Sequence, residues 1–134
     1  MSNFNIHIEG RGIWYTIHLL AFHANTDLLK NAFIITIGQL ADHFGCETCK
    51  VHFKKFITDV PIKPFLPQEY GVFKWTVELH NAINKKLNKP VVKYEDALSS
   101  YKNFVCQHCD DKMDGPHILV PVDNKSFSFH FISY

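Results

Sequence analysis

FKWTVELHNAINKKLNKP, residues 73–90, is the stretch that decides the fold. One face of it repeats with the period of an α-helix and carries Phe73, Val77, His80, Asn84 and Leu87. This spacing predicts a helix over residues 72–88, which Pro90 closes. A histidine and an asparagine among apolar neighbours cost free energy unless both form hydrogen bonds. The stripe therefore predicts either a His80–Asn84 hydrogen bond inside a helical bundle or a polar ligand lying across the helix.

Helical patterns also dominate the chain before this stretch. They cover residues 11–24, residues 27–43, and a shorter segment from Cys46 to about Ile57. The apolar stripe of the first comprises Ile13, Trp14, Ile17, Leu20, Ala21 and Ala24, and that of the second Leu29, Phe33, Ile37, Leu40 and Phe44. Caps are expected in the segment Asn25-Thr26-Asp27, and Gly45 is placed to end the second helix.

The rest of the chain divides into a loop, a short helix and a tail. Three prolines, Pro61, Pro64 and Pro67, predict a connecting loop, and residues 94–104 predict a short fifth helix. Alternation of apolar and polar residues predicts a small β-hairpin over residues 118–134. The predicted fold is therefore all-α, a four-helix bundle with a short fifth helix over residues 1–104, followed by a C-terminal extension over residues 105–134.

Composition restricts the class of protein. With 134 residues and 46% hydrophobic content the chain suits one globular domain, and a net charge of +1 gives no reason to expect nucleic acid. No apolar run approaches the roughly 18–20 residues that span a bilayer. The N-terminus lacks the pattern of a signal peptide, so we expect a cytoplasmic protein, in which a disulfide is usually catalytic or transient.

The two CxxC pairs, Cys46 with Cys49 and Cys106 with Cys109, allow a redox disulfide, a zinc site or a structural staple. A thioredoxin-like motif is disfavoured because a helical stripe, and not a strand, precedes the first pair. A tetrahedral zinc site could draw on Cys46, Cys49, His52, Cys106, His108 and Cys109. The 56 residues between Cys49 and Cys106 exceed the usual spacing of such ligands. The cysteines alone leave the question open.

The first helix repeats the polar theme of residues 73–90. Arg11, Trp14 and His18 follow one another at intervals of about one helical turn. Two such aromatic–polar stripes together with a CxxC pair favour a planar, phosphate-bearing cofactor held within a helical bundle.

Three motifs give the chain a resemblance to a known family. GRGIWYTIH at residues 10–18, CETCKVHF at residues 46–53 and WTVELHNAINKKLNKP at residues 75–90 resemble the motifs of the Erv/ALR family of FAD-linked sulfhydryl oxidases, in order and at family-like distances. Ile83 replaces the valine of the third motif. The short chain most resembles the compact members found in large cytoplasmic DNA viruses. No GxGxxG is present, which matches a family that binds FAD in a helical bundle.

The resemblance implies positions for the cofactor and the redox pair. FAD would bind at the bundle mouth, with Cys49 as the proximal cysteine and Cys46 as the outer sulfur that substrate attacks. The implied cofactor-binding residues are Gly10, Arg11, Trp14, His18, Phe44, His80, Asn81, Asn84, Lys86, Lys89 and Tyr101. The structural disulfide of cellular members is missing, because Val77 and Tyr94 occupy its positions. Packing of Val77 is expected to offset part of that loss.

The resemblance also implies an activity and partners. Substrate thiols on proteins, a thioredoxin-like or small CxxC carrier among them, would be oxidised with electrons passing to O2 and giving H2O2. The enzyme would be a homodimer without a resident metal, located in the host cytoplasm or the virion. Cys106 and Cys109 would be either a shuttle disulfide on a terminal arm or a structural disulfide. The alternative to an enzyme is a zinc-stabilised Cys/His interaction module.

Overall fold

The computed structural model describes residues 9–45 and 47–103, and within them every regular element is helical. The α-helices are α1 (Glu9–His23), α2 (Asp27–His43), α3 (Glu47–Asp59), α4 (Gly71–Lys86) and α5 (Tyr94–Lys102). The predicted all-α bundle of four helices and a short fifth is therefore confirmed. The predicted β-hairpin at residues 118–134 and the C-terminal extension lie outside the described residues.

The helix ends follow from local sequence. The Thr26 hydroxyl accepts a hydrogen bond from the Leu29 amide at 3.2 Å and so caps α2, as predicted. Gly71 begins α4 where the chain passes closely over itself, since a Cβ there would lie 1.7 Å from the Phe65 carbonyl oxygen. Asn88 adopts a left-handed backbone with φ of 53° just past the end of α4, ahead of Pro90.

The core is built around α4, which packs mainly against α1. Buried apolar side chains come from every helix: Ile17 and Ala21 of α1, Phe33 and Ile37 of α2, Phe53 of α3, Phe73, Trp75, Val77 and Leu79 of α4, and Ala97 of α5. Trp75 is 1% exposed, and its indole N–H donates to the Val60 carbonyl oxygen at 2.6 Å. This bond holds the segment after α3 against the central helix. Val77 is 1% exposed, which confirms the packing predicted for it.

Three apolar residues assigned to buried stripes are at the surface, and those assignments were wrong. Leu20 and Leu29 are each 44% exposed, and Leu87 is 56% exposed. Leu20 and Leu29 have the correct helical period but lie at the margin of the stripe, where the packed helices cover them only in part. Leu87 follows the last residue of α4, so it leaves the helical face altogether.

The proline-rich connection is more regular than predicted. Within it a single 3-10 turn, Lys63–Phe65, has proline near its first position, where no helical N–H bond is lost. The Lys30 ammonium of α2 donates to the Leu66 carbonyl oxygen at 2.7 Å. Together with Trp75, Lys30 fixes the connection to the bundle and sets the point at which α4 begins.

Candidate functional site

A stack of aromatic and imidazole rings joins α1 to α4. The Trp14 and His80 rings lie 3.9 Å apart between centroids and are inclined by only 6°. The His18 ring lies 5.3 Å from that of His80 and 5.7 Å from that of Trp14. Because Trp14 and His18 are one turn apart on α1, a single face of that helix supplies both. The structure thus brings together three of the predicted cofactor residues.

Hydrogen bonds continue the stack into the core. His18 Nδ1 lies 2.8 Å from Thr76 Oγ1, and His18 Nε2 lies 3.0 Å from His80 Nδ1. Burial lowers the pKa of His18 from 6.5 to about 3, so the ring is neutral at physiological pH. The pKa of His18 is lower in the folded chain than in the unfolded chain. The contribution of His18 to the free energy of unfolding is therefore complete above pH 6.5 and is lost as the pH falls toward 3.

Asn84 lies one turn beyond His80 with its side chain buried, at 2% exposure. Its amide nitrogen Nδ2 has no hydrogen-bond acceptor among the described residues. A buried donor without an acceptor costs about 1–3 kcal/mol, and a ligand acceptor at this position would remove that cost. His80 is bonded to His18, and no His80–Asn84 hydrogen bond forms. The predicted bond within the helix is therefore wrong, and the polar-ligand alternative gains support.

The Asn81 side chain forms hydrogen bonds with the backbone of Val92, in the connection after α4. Its Nδ2 donates to the Val92 carbonyl oxygen at 2.7 Å, and its Oδ1 accepts from the Val92 amide at 3.0 Å. The side chain therefore holds the connection between α4 and α5. Its predicted contact with a cofactor stays a prediction, alongside a structural role that the sequence did not indicate.

Cys49 lies in the first turn of α3, half-buried and disulfide-bonded. Cys46 lies outside the described residues. One turn after Cys49, Phe53 packs edge-on against Trp14, with ring centroids 6.3 Å apart. Phe44 packs against Phe53 in turn, at 5.1 Å. Aromatic contacts therefore connect the helix of the cysteine pair to the Trp14–His80 stack.

The remaining predicted cofactor residues lie around this stack. Tyr101 of α5 packs edge-on against His18, with ring centroids 6.1 Å apart. Gly10 and Arg11 are in the first turn of α1, where Arg11 is exposed. Lys86 and Lys89 are exposed at the end of α4, and the Lys86 ammonium lies 5.6 Å from the centroid of the Phe56 ring. The structure brings these lysines into no contact with the stack.

One residue of the site was missed from the sequence. Thr76 is fully buried, and its hydroxyl bonds both to His18 and to the Phe73 carbonyl oxygen. It precedes His80 by four residues and therefore lies on the same face of α4. The four-residue spacing between Thr76 and His80 was the signal in the sequence. A threonine one helical turn before a histidine does not by itself indicate a functional site.

Two properties of the described residues bear on alternative functions. None of α1 to α5 combines the length and apolar character needed to cross a bilayer. Within residues 9–45 and 47–103 no group of three or more His, Cys, Asp or Glu is placed to hold a metal ion. The ligands named for a zinc site, apart from Cys49 and His52, lie outside those ranges.

Comparison with known proteins identifies the family. The model of the Erv1/Alr family matches residues 11–103, which span all the site residues described above except Gly10. This chain belongs to the Erv1/Alr family. The resemblance found from the three motifs is therefore confirmed.

Three similar proteins come from viruses. A protein of African swine fever virus named FAD-linked sulfhydryl oxidase is 30% identical over 98 residues, which cover 71% of this chain and 77% of that protein. Its counterpart in a second isolate of the virus is 28% identical, with the same coverage. Protein 088R of Frog virus 3 is also named FAD-linked sulfhydryl oxidase, with a qualifier that marks the name as provisional. It is 29% identical over 98 residues, which cover 69% of this chain and 65% of that protein. These relatives confirm the predicted likeness to compact viral members.

Proposed function

We propose that this chain oxidises substrate thiols at a Cys46–Cys49 disulfide and, with FAD, transfers their electrons to O2 to give H2O2. The coarser statement, a flavin-linked thiol oxidase with FAD as its cofactor, rests on membership of the Erv1/Alr family and on the name of its relatives. The observation that carries the finer proposal is the disulfide-bonded state of Cys49, on the helix whose Phe53 packs against Trp14. Zinc binds cysteine as thiolate, so this state disfavours a zinc-stabilised module.

The residues of the site fit FAD. The half-buried Trp14 ring is stacked on that of His80, and the buried Asn84 Nδ2 is a donor that needs an acceptor. Lys86 and Lys89 supply exposed positive charge for a diphosphate. When bound, FAD supplies the two-electron chemistry that links thiol oxidation to O2. The protein residues provide binding, orientation and the disulfide.

The disulfide step follows ordinary thiol–disulfide exchange. A substrate thiolate attacks the Cys46 sulfur, the Cys46–Cys49 bond breaks, and Cys49 leaves as a thiolate. A second substrate thiolate then attacks the mixed disulfide, so that the substrate leaves oxidised and Cys46 carries the displaced thiolate. The substrate has thereby transferred two electrons to the cysteine pair. The first-turn position of Cys49 on α3 favours its thiolate, because the N-terminus of a helix carries partial positive charge.

The proposal is tested on the purified protein. We expect bound flavin visible in the absorbance spectrum, together with oxygen consumption and peroxide formation when dithiothreitol is added. A colourless preparation that contains zinc would support the interaction module instead. A yellow protein that consumes no oxygen would reduce the chain to an FAD-binding protein. Location in the host cytoplasm or the virion stays a prediction.

For the second pair we propose that Cys106 and Cys109 pass electrons from protein substrates to the first pair. Replacing Cys106 with serine is expected to leave the rate with dithiothreitol unchanged, because a small dithiol reaches Cys46 directly. The rate with a reduced thioredoxin-like protein is expected to fall severalfold. Oxygen consumption measured with both substrates checks this. Equal rates of wild type and variant on the protein substrate would leave the pair with a structural role.

We also propose that the enzyme is a homodimer formed through the face shared by α1 and α2. An apolar groove of about 460 Å³ lies there, lined by residues that include Ile13, Ile17, Leu20, Phe33, Ile37 and Leu40. Leu20 of α1, one of the lining residues, is 44% exposed. A second copy of the same groove would cover these side chains, and burial of apolar area would drive the association.

Replacing Leu20 with glutamate is expected to convert the dimer to a monomer, because the new charge would lose water on association. Light scattering coupled to size-exclusion chromatography measures the mass. The matched control is Val91→Glu, since Val91 is an exposed apolar residue between α4 and α5. A monomeric wild type, or dissociation by both variants alike, would contradict the assignment of this face.

A further inference from the structure

The chain turns back on itself where α4 ends. The Asn88 amide donates to the Lys85 carbonyl oxygen at 3.2 Å, and the Lys89 amide donates to the Asn84 carbonyl oxygen at 2.8 Å. Because Asn88 has a left-handed backbone with φ of 53°, these two bonds form a Schellman motif. The second bond places the backbone of Lys89 beside Asn84, whose buried Nδ2 has no hydrogen-bond acceptor among the described residues.

Asn81 holds the same segment at a second point, about one turn earlier on α4. Its side chain bonds to the carbonyl oxygen of Val92 at 2.7 Å and to the amide of Val92 at 3.0 Å. Asparagine suits this place because its side chain offers one residue both a donor and an acceptor. Lys89 is bonded to Asn84, and the later Val92 is bonded to the earlier Asn81. Residues 88–92 therefore run back along α4, antiparallel to it.

The returning segment carries a positive charge that no described acidic side chain neutralises. Residues 79–94 contain no aspartate or glutamate. No described acidic side chain forms an ion pair with Lys89, whereas every lysine of α3 pairs with one. Lys89 is also exposed, so its ammonium group is accessible to an anion. An ammonium group beside a buried amide donor suits a ligand that carries a phosphate and a nearby hydrogen-bond acceptor.

We propose that Asn81 is a positioning residue that holds the returning segment against α4 through Val92, and so keeps Lys89 beside Asn84 for binding of one phosphate-bearing ligand. The part that concerns the ligand, FAD, rests on the proposed function, whereas the placement of the segment follows from the protein's own bonds. This role differs from the direct contact with FAD that the family motif implies for Asn81. Of the two asparagines, Asn84 acts on the ligand and Asn81 acts on the segment that carries Lys89.

The test replaces Asn81 with leucine, which has nearly the same shape, favours helix more strongly and lacks both hydrogen-bonding groups. The dissociation constant for FAD is measured for the wild type, Asn81→Leu, Lys89→Gln and the double variant. We expect a rise of roughly tenfold for Lys89→Gln, the effect of about one charge-assisted hydrogen bond, and of roughly fivefold for Asn81→Leu. The double variant should also show a rise of about tenfold, because a displaced Lys89 has little binding left to lose. If Asn81 only stabilised α4 or contacted FAD directly, the two effects would multiply to roughly fiftyfold.

Amide hydrogen exchange of the full chain, followed by NMR, tests the placement of the segment independently of the ligand. Asn81→Leu is expected to speed exchange of the Lys89 amide roughly tenfold, because release of the segment lets the turn open locally. Asn81→Ala, which also lacks both hydrogen-bonding groups, is expected to act in the same direction. The matched control is Asn103→Ala, which removes an exposed asparagine whose side chain donates to Ser99 Oγ at 3.1 Å, and it should change neither exchange nor binding of FAD.

Two results would overturn the inference. One is unchanged exchange of the Lys89 amide in both Asn81 variants, and the other is effects of Asn81→Leu and Lys89→Gln that multiply in the double variant. A wild type that binds no flavin would contradict the proposed function. The exchange rates would then still decide whether Asn81 places Lys89.

Discussion

Replacing Cys49 with serine is expected to abolish oxygen consumption driven by dithiothreitol while leaving FAD bound. Serine cannot form a disulfide, so the variant lacks the bond that substrate thiolate breaks. Cys49 is not among the residues predicted to hold FAD, so the flavin absorbance should persist. Both quantities are measured on the same preparation, with oxygen consumption expressed per bound flavin.

Thr48→Ala is the matched control, because Thr48 is exposed on α3 beside Cys49 and has no assigned role. It should consume oxygen at the wild-type rate. Residual activity of Cys49→Ser near that of wild type would place the entry of electrons elsewhere in the chain. Loss of flavin together with activity would indicate that Cys49 acts through the structure of α3.

Replacing Trp75 with alanine is expected to lower the free energy of unfolding by about 4 kcal/mol, within the usual range for deleting a buried tryptophan. Trp75 is 1% exposed, packs edge-on against Phe33 at 6.0 Å, and donates to the Val60 carbonyl oxygen. Since whole domains are stable by about 5–15 kcal/mol, this loss is large. Urea denaturation followed by circular dichroism measures it, at one FAD concentration for all variants because bound ligand adds stability.

Two controls separate the causes of that loss. Trp75→Phe keeps an aromatic ring and removes the N–H, so we expect an intermediate loss. Val91→Ala truncates an exposed apolar side chain and should change the free energy of unfolding by less than about 0.5 kcal/mol. A cost below about 1 kcal/mol for Trp75→Ala would show that the centre of the core lies elsewhere.

The helical period of α4 predicted most of its buried face. Phe73, Val77, His80 and Asn84 are all buried, because the period of an α-helix places them on one side and the core covers that side. The same pattern could not locate the edge of the core. Whether an apolar residue at the margin, such as Leu20, is covered depends on how closely a second helix approaches. That distance is set by packing and not by the helix's own sequence.

The candidate site was predictable as a set of residues and not as a set of contacts. The three family motifs identified Trp14, His18 and His80 individually. The bond between the two histidines joins residues 62 positions apart, so no local pattern contains it. Asn81 is a second example. The family motif identifies the residue, but its hydrogen bonds to Val92 depend on the path of the chain after α4 and could not be predicted.

The pairing of α1 with α4 also determines the order of events during synthesis. The hydrogen-bond partners of His18 are 58 and 62 residues later in the chain. While the first three helices leave the ribosome, the ring face of α1 therefore has no α4 to cover it. A nascent chain that stops in the proline-rich connection lacks both the central helix and the His80 ring of the stack. If FAD binds at the ring stack as proposed, we expect its capture to be a late event, after α4 has left the ribosome.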